Sequence, residues 1–176
     1  MKIFKLFPLV LLFLVASCSS VRVTTDYDTN TDFKSYKTFA FYKKGIDKVD
    51  ISDLDKRRIL KAIESELLAK GFTKSSNPDV LVNIFTKSRQ KVDIYNNNMY
   101  FGWRPWYYGP NFGMHISKHT EGTLFIDLID ANKKELAWQG IGSGALNTTG
   151  NVAKKEERIK EFVAEIMAKY PPEILN

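Results

Sequence analysis

GTLFIDLIDANKKELAWQGIGSGAL, residues 122–146, decides the architecture of this chain. Leu124, Ile126 and Leu128 share one face of a segment of period two, and Asp127 points to the other, solvated, side. Ala131-Asn132-Lys133-Lys134 reads as a hairpin loop, and residues 135–146 return as the antiparallel partner. Gly140, Gly142 and Gly144 fall on one face of that returning strand, where they permit a bulge or the close approach of another element.

Working outward, residues 79–87 form a further strand with Val80, Val82 and Ile84 inward, and its pairing continues through Val92, Ile94 and Tyr95. Upstream, Ser52 and Asp55 have the spacing of a capping box, with Asp in place of the usual Glu or Gln. The helix they open runs to about Lys70, with Leu60, Ile63 and Leu67 on one face and Ile59 and Leu68 beside them. Gly71 suits the left-handed position that ends a helix, and Phe72 can pack back over the last turn. Nearer the N-terminus, Val21, Val23, Thr25 and Tyr27 alternate as a strand, residues 29–32 form a turn, and residues 38–42 form a short strand. Residues 43–50 read as a polar connection. A second helix begins near Gly150-Asn151, carries Ile159, Phe162, Val163, Ile166, Met167 and Tyr170 as its apolar stripe, and stops at Pro171-Pro172. Two amphipathic helices need one sheet face to cover. The expected class is α+β, a single mixed or mainly antiparallel sheet with two helices packed on one face.

The chain has 176 residues, 44% of them apolar, 26% charged, and a net charge of +6. Two of those charges, Lys2 and Lys5, belong to a leader. MKIFK is a positive start, residues 6–16 are an unbroken apolar run, and SCSS supplies small residues, the layout of an export signal. The run is well short of the roughly 20 residues that span a bilayer. Residues 1–17 are thus expected to be a signal peptide and residues 18–176 a single domain. The remaining positive balance is too mild to indicate a nucleic-acid partner.

Cys18 is the only cysteine, so no internal disulfide or cysteine-rich metal site is available. Val15-Ala16-Ser17-Cys18 resembles the bacterial lipobox, with Val where Leu is commoner. The resemblance implies diacylglycerol on the Cys18 sulfur and cleavage between Ser17 and Cys18. Two acyl chains give stable anchoring. Ser19, in place of Asp, resembles the pattern of outer-membrane retention, which would have the domain face the periplasm.

Four segments in order, DYDTNTDFKSYKTFAF (26–41), LLAKGFTKSSNPDVLV (67–82), GTLFIDLID (122–130) and ELAWQGIG (135–142), resemble the bacterial lipoprotein family known as domain of unknown function 4136. The resemblance covers residues 21–172. Gln139 stands where many relatives carry Arg. The family implies an exported, usually lipid-anchored α+β domain. It implies no activity and no catalytic residues.

Candidate chemistry concentrates in residues 95–112, which hold eight aromatic side chains. Tyr100, Trp103, Arg104, Trp106, Tyr107 and Tyr108 form the possible binding loop. Aromatics interleaved with cations stack on sugars or sit at lipid interfaces. The blander reading has these rings packed on the uncovered sheet face. His115 and His119 share a face of either a helix or a strand, but no second carboxylate or cysteine completes a metal-ligand pattern. Asp79 and Asp130 stand at strand ends and suit turn-holding hydrogen bonds. Ser143 lacks the context of a nucleophile elbow. Arg57-Arg58 and residues 154–158 read as the wet faces of the two helices. The expectation is a non-enzymatic envelope component without cofactor or metal. Its partners would be the membrane, through lipid on Cys18, and an envelope protein. The alternative is a binder of an envelope glycan or small ligand through residues 95–112.

Overall fold

The hairpin of residues 122–145 forms the middle of a six-stranded sheet. The structure, a computed structural model, describes residues 21–95, 115–145 and 151–173, with the backbone alone for 89–95 and 115–120. The elements are β1 (Arg22–Tyr27), β2 (Thr38–Phe41), α1 (Lys43–Ile46), α2 (Asp53–Ala69), β3 (Thr73–Lys74), β4 (Val80–Tyr95), β5 (His115–Asp130), β6 (Leu136–Ala145) and α3 (Val152–Met167). Sheet order is β1-β6-β5-β4-β2-β3. The β1–β6, β6–β5 and β5–β4 pairs are antiparallel, whereas β2 runs parallel to both β4 and β3. The sheet is mixed and open, and the α+β expectation holds.

The parallel pair follows from connectivity. The chain leaves β2, crosses through α2 and returns as β4 beside β2, a route that parallel neighbours require. Ser52 starts α2, its hydroxyl accepting the Asp55 backbone N–H at 3.2 Å. Gly71 ends it with φ of 86°, the left-handed region that favours glycine. The Phe72 N–H then donates to the Leu67 carbonyl, which turns the Phe72 ring into the core. Asn151 starts α3, its side chain accepting the backbone N–H groups of Ala153 and Lys154.

The core lies between the sheet and α2 with α3. Ile59, Ala62, Ile63 and Leu67 of α2 and Phe162, Val163, Ile166 and Met167 of α3 cover Val80, Val82, Ile84, Leu124, Ile126, Leu128 and Trp138. The β6 glycines let α3 sit close. A Cβ on Gly140 would stand 2.4 Å from Ile166 Cγ2, and one on Gly142 would stand 2.7 Å from Ile166 Cδ1. A register shift between Leu128 and Ile129 leaves both Ala137 and Trp138 buried. Trp138 meets Tyr170 edge-on at 5.3 Å, and Phe33 and Phe72 close the cluster around Tyr170.

Three local expectations change. Residues 43–50 are more than a polar connection, because α1 and the turn after it bury Ile46 and Val49. Leu68 is 49% exposed, one step off the buried stripe. The strand read as starting at Gly122 starts at His115, and β4 pairs with β5 over sixteen residues each, from Val80↔Asp130 to Tyr95↔His115. Among the described residues β6 pairs β5 from Glu121 onward, and β4 and β5 continue past it as a two-stranded ribbon. The six residues of each strand in it, 90–95 and 115–120, reach roughly 20 Å.

Candidate functional site

Alternation that sends Ile84, Leu124 and Ile126 toward the helices sends Leu81, Asn83, Phe85, Phe125, Asp127, Gln139 and Ile141 to the opposite side. Neither long helix lies there. Phe85 is 46% exposed and packs against Phe125 with ring centroids 5.5 Å apart. Lys87 Nζ stands 5.6 Å from the Phe85 centroid and 5.5 Å from that of Phe125. Such a cation over two ring faces is favourable at roughly 0.5–1 kcal/mol per contact at an exposed site.

Around this aromatic pair runs a polar lattice. Asp127, read from the sequence as solvated, is half-buried and holds two neighbours: Gln139 Nε2 donates to it at 2.8 Å and Asn83 Nδ2 at 3.2 Å. The Gln139 amide therefore ties β6 to β5. Thr123 and Ser143 bond through their hydroxyls at 3.0 Å, and Arg22 pairs with Glu121. Ser143 is thus a cross-strand partner of a threonine.

The other acidic candidates hold turns. Asp79 accepts the backbone N–H groups of Lys37 and Thr38 and the Thr38 hydroxyl, all on one carboxylate oxygen. The Lys37 N–H, then the Thr38 hydroxyl and N–H, keep its carboxyl below the ordinary range. Asp130 is buried. Burial opposes its ionisation, but the Lys133 N–H, the Tyr36 hydroxyl and the Asn132 N–H outweigh that and hold it low as well. Burial and this carboxylate together push the Tyr36 phenol well above its usual range. Each carboxylate acts as a staple between sheet and loop.

The basic runs are only partly wet. Asp55 receives Arg58 at 2.8 Å from its own helix and Lys155 from α3. Burial works against the Asp55 charge, and the bonds from Lys155, Ser52 and Arg58 overcome it, so its carboxyl is lowered. Arg158 bonds Glu161 and lies 4.6 Å above the Phe162 ring. The Asp55–Lys155 pair joins two helices, a role the sequence runs do not announce.

Ser17, Cys18, Tyr100, Trp103, Arg104, Trp106, Tyr107 and Tyr108 lie outside the described residues. His115 and His119 stand on one strand, so their Cα atoms are about 13 Å apart, not the neighbours that a helical turn would make them. Sequence reasoning misses Phe85, Phe125 and Lys87 as a group. A signal for them exists, since an aromatic at each of two outward strand positions departs from the polar pattern of a solvated face.

Residues 23–172 match the family described as Domain of unknown function (DUF4136). The chain belongs to that family. No curated protein matches the sequence. Among solved structures, this DUF4136 domain is similar to a PDZ domain protein from Parabacteroides distasonis, with 21% identity and a TM-score of 0.49 over 88% of this chain. The chain spans 36% of the length of that protein. It is also similar to the PelC dodecamer from Paraburkholderia phytofirmans, with 11% identity and a TM-score of 0.46, covering 84% of this chain and 96% of that one. A putative neuraminyllactose-binding hemagglutinin homolog from Helicobacter pylori follows with 11% identity and a TM-score of 0.40, covering 79% and 81%.

Proposed function

We propose that this DUF4136 protein is a lipid-anchored, non-enzymatic binding or assembly component of the bacterial envelope, carried by lipid on Cys18 after cleavage behind Ser17. It sits on the outer membrane, faces the periplasm, and engages an envelope protein through the sheet face that the long helices leave uncovered. The observation that carries this reading is the half-exposed Phe85 beside Phe125, with Lys87 above both rings. A partly exposed aromatic pair bordered by hydrogen-bonding side chains has the composition of an interface centre, with Lys87 on its polar rim. The non-enzymatic part is supported by the acidic residues, since Asp79, Asp127 and Asp130 are each engaged in hydrogen bonds that tie strands and turns.

The composition of residues 95–112 supports a second reading, an envelope glycan or small ligand stacked on Trp103, Trp106, Tyr107 and Tyr108 with Arg104 beside them.

Two experiments test the proposal. Cys18→Ser should move the protein from the membrane fraction to the soluble one, and retention on the membrane overturns the anchoring. A photo-crosslinker at position 85 in intact cells should capture one envelope protein reproducibly and lose it when Phe125 is replaced by Glu. Capture unaffected by Phe125→Glu overturns the protein-docking reading. Capture of glycan by crosslinkers at Trp103 or Trp106 would support the second one.

A further inference from the structure

On the opposite side of the sheet, where α2 and α3 both begin, the helices stand off the strands and leave a cavity of about 310 Å³. Its apolar wall is Ile51, Ile59, Leu124, Ile159 and Phe162, contributed by three separate elements and the turn before α2. The reason for the space lies in the strands. Along β6 the room above the glycines at 140 and 142 is filled by Ile166 of α3. One step further on, Gly122 pairs with Gly144 on the same face, so β5 and β6 offer no side chain there. The first turns of α3 present Lys155 and Arg158 at this level, cationic side chains in place of an apolar plug.

The mouth of the cavity is polar. Lys155 and Arg158 line it with the hydroxyl-bearing Thr86 and Ser88, against the carboxylates of Asp50 and Asp55. Asp55 is already engaged by Arg58 on one oxygen and Lys155 on the other. Lys155 has three donors, and its bond to Asp55 uses one of them. Its side chain is 41% exposed, within reach of a group entering the mouth. The positive ends of two helix dipoles add to the same sign.

We propose that this cavity is a binding site for a small anionic amphiphile, a single apolar chain of about ten carbons ending in a carboxylate or similar acid. The apolar wall takes the chain, and Lys155 takes the charged end, with the Arg158 charge beside it. The size fits: an apolar cavity of about 150 Å³ accepts benzene, and ligand pockets begin near 300 Å³. A cationic amphiphile would meet these two positive side chains at the mouth. The site lies on the helix side and is independent of the Phe85 face.

The test uses the full-length protein in phosphatidylcholine nanodiscs and a diazirine-bearing decanoate as probe. After irradiation, adducts mapped by mass spectrometry should fall on the peptides containing Ile51–Ile59 and Lys155–Phe162. Excess decanoate should reduce them about tenfold, and the same excess of decyltrimethylammonium by less than about twofold. Ile159→Trp, which fills the cavity, should abolish the adducts. Lys155→Gln, which leaves the apolar wall whole, should weaken decanoate competition by about three- to tenfold and serves if Ile159→Trp does not fold. Absent or scattered adducts, equal displacement by the cationic competitor, or indifference of the adducts to Lys155→Gln overturns the proposal.

Discussion

The same three strands, β4, β5 and β6, present two faces of opposite character. On the helix side, Val82, Ile84, Ile126, Leu128 and Trp138 are fully or almost fully buried. On the other side, residues one position away form hydrogen bonds across strands, and Phe85 remains half in water. The difference shows where stability and recognition are separated. Burying apolar area contributes roughly 25 cal/mol per Å², so the helix side carries the fold. The outward side can then carry a surface whose composition stability does not dictate.

Substitutions on each face should therefore read differently. Trp138→Ala should cost most, about 3–5 kcal/mol in denaturant unfolding, because it empties a fully buried site next to Tyr170. A cost near zero would break the assignment of that face as the core. Gly140→Ala should cost about 1–3 kcal/mol by overpacking against Ile166 and Trp138. Combined with Ile166→Ala, its effect should be smaller than the sum of the two single changes, since the second relieves the clash with Ile166.

Asp79→Asn should cost about 1 kcal/mol at neutral pH by weakening charge-assisted bonds from Lys37 and Thr38. The sign of its pH dependence follows from a folded carboxyl held below its ordinary 3.8. Stability from such a group is present above the unfolded value and is lost as pH falls through the folded one. Urea melts should show the gap between wild type and variant narrowing below about pH 4. A constant gap would remove the carboxylate charge from the account. Smallest of all, Phe85→Ser should lower unfolding free energy by no more than about 1 kcal/mol, the size of the Lys87 contact it removes, while abolishing crosslinking from the neighbouring Phe125 position. A large loss of stability would make the outward face part of the core.

Much of the fold is legible in local patterns of the chain. Period-two segments locate β4, β5 and β6, Ser52 and Gly71 mark the ends of α2, and Pro171 closes the region after α3. Capping and alternation depend on neighbours a few residues apart, so the sequence displays them directly. What escapes is long-range. Ile46 and Val49 lie in a segment rich in Lys and Asp, and only packing against the sheet makes them core. Lys155 and Arg158 read as solvent-facing charges, yet Lys155 reaches Asp55, one hundred positions earlier in the chain.

The candidate surfaces divide the same way. The lipobox-like Cys18 and the aromatic run of residues 95–112 are properties of composition and order, visible in the sequence. The pairing of Phe85 with Phe125, and the cavity beneath α2 and α3, depend on strand register and on how closely each helix approaches a glycine.

By itself, the sequence determined which residues alternate, where helices begin and end, and which family the chain resembles, since each is written in neighbouring residues. Only the tertiary structure decided that β2 lies parallel to β4, which face of the sheet is covered, and that Ile166 fills the space above two glycines while the space beside Gly122 stays open. Those outcomes depend on contacts between residues far apart in the chain, where the shape of one element sets the room left for another.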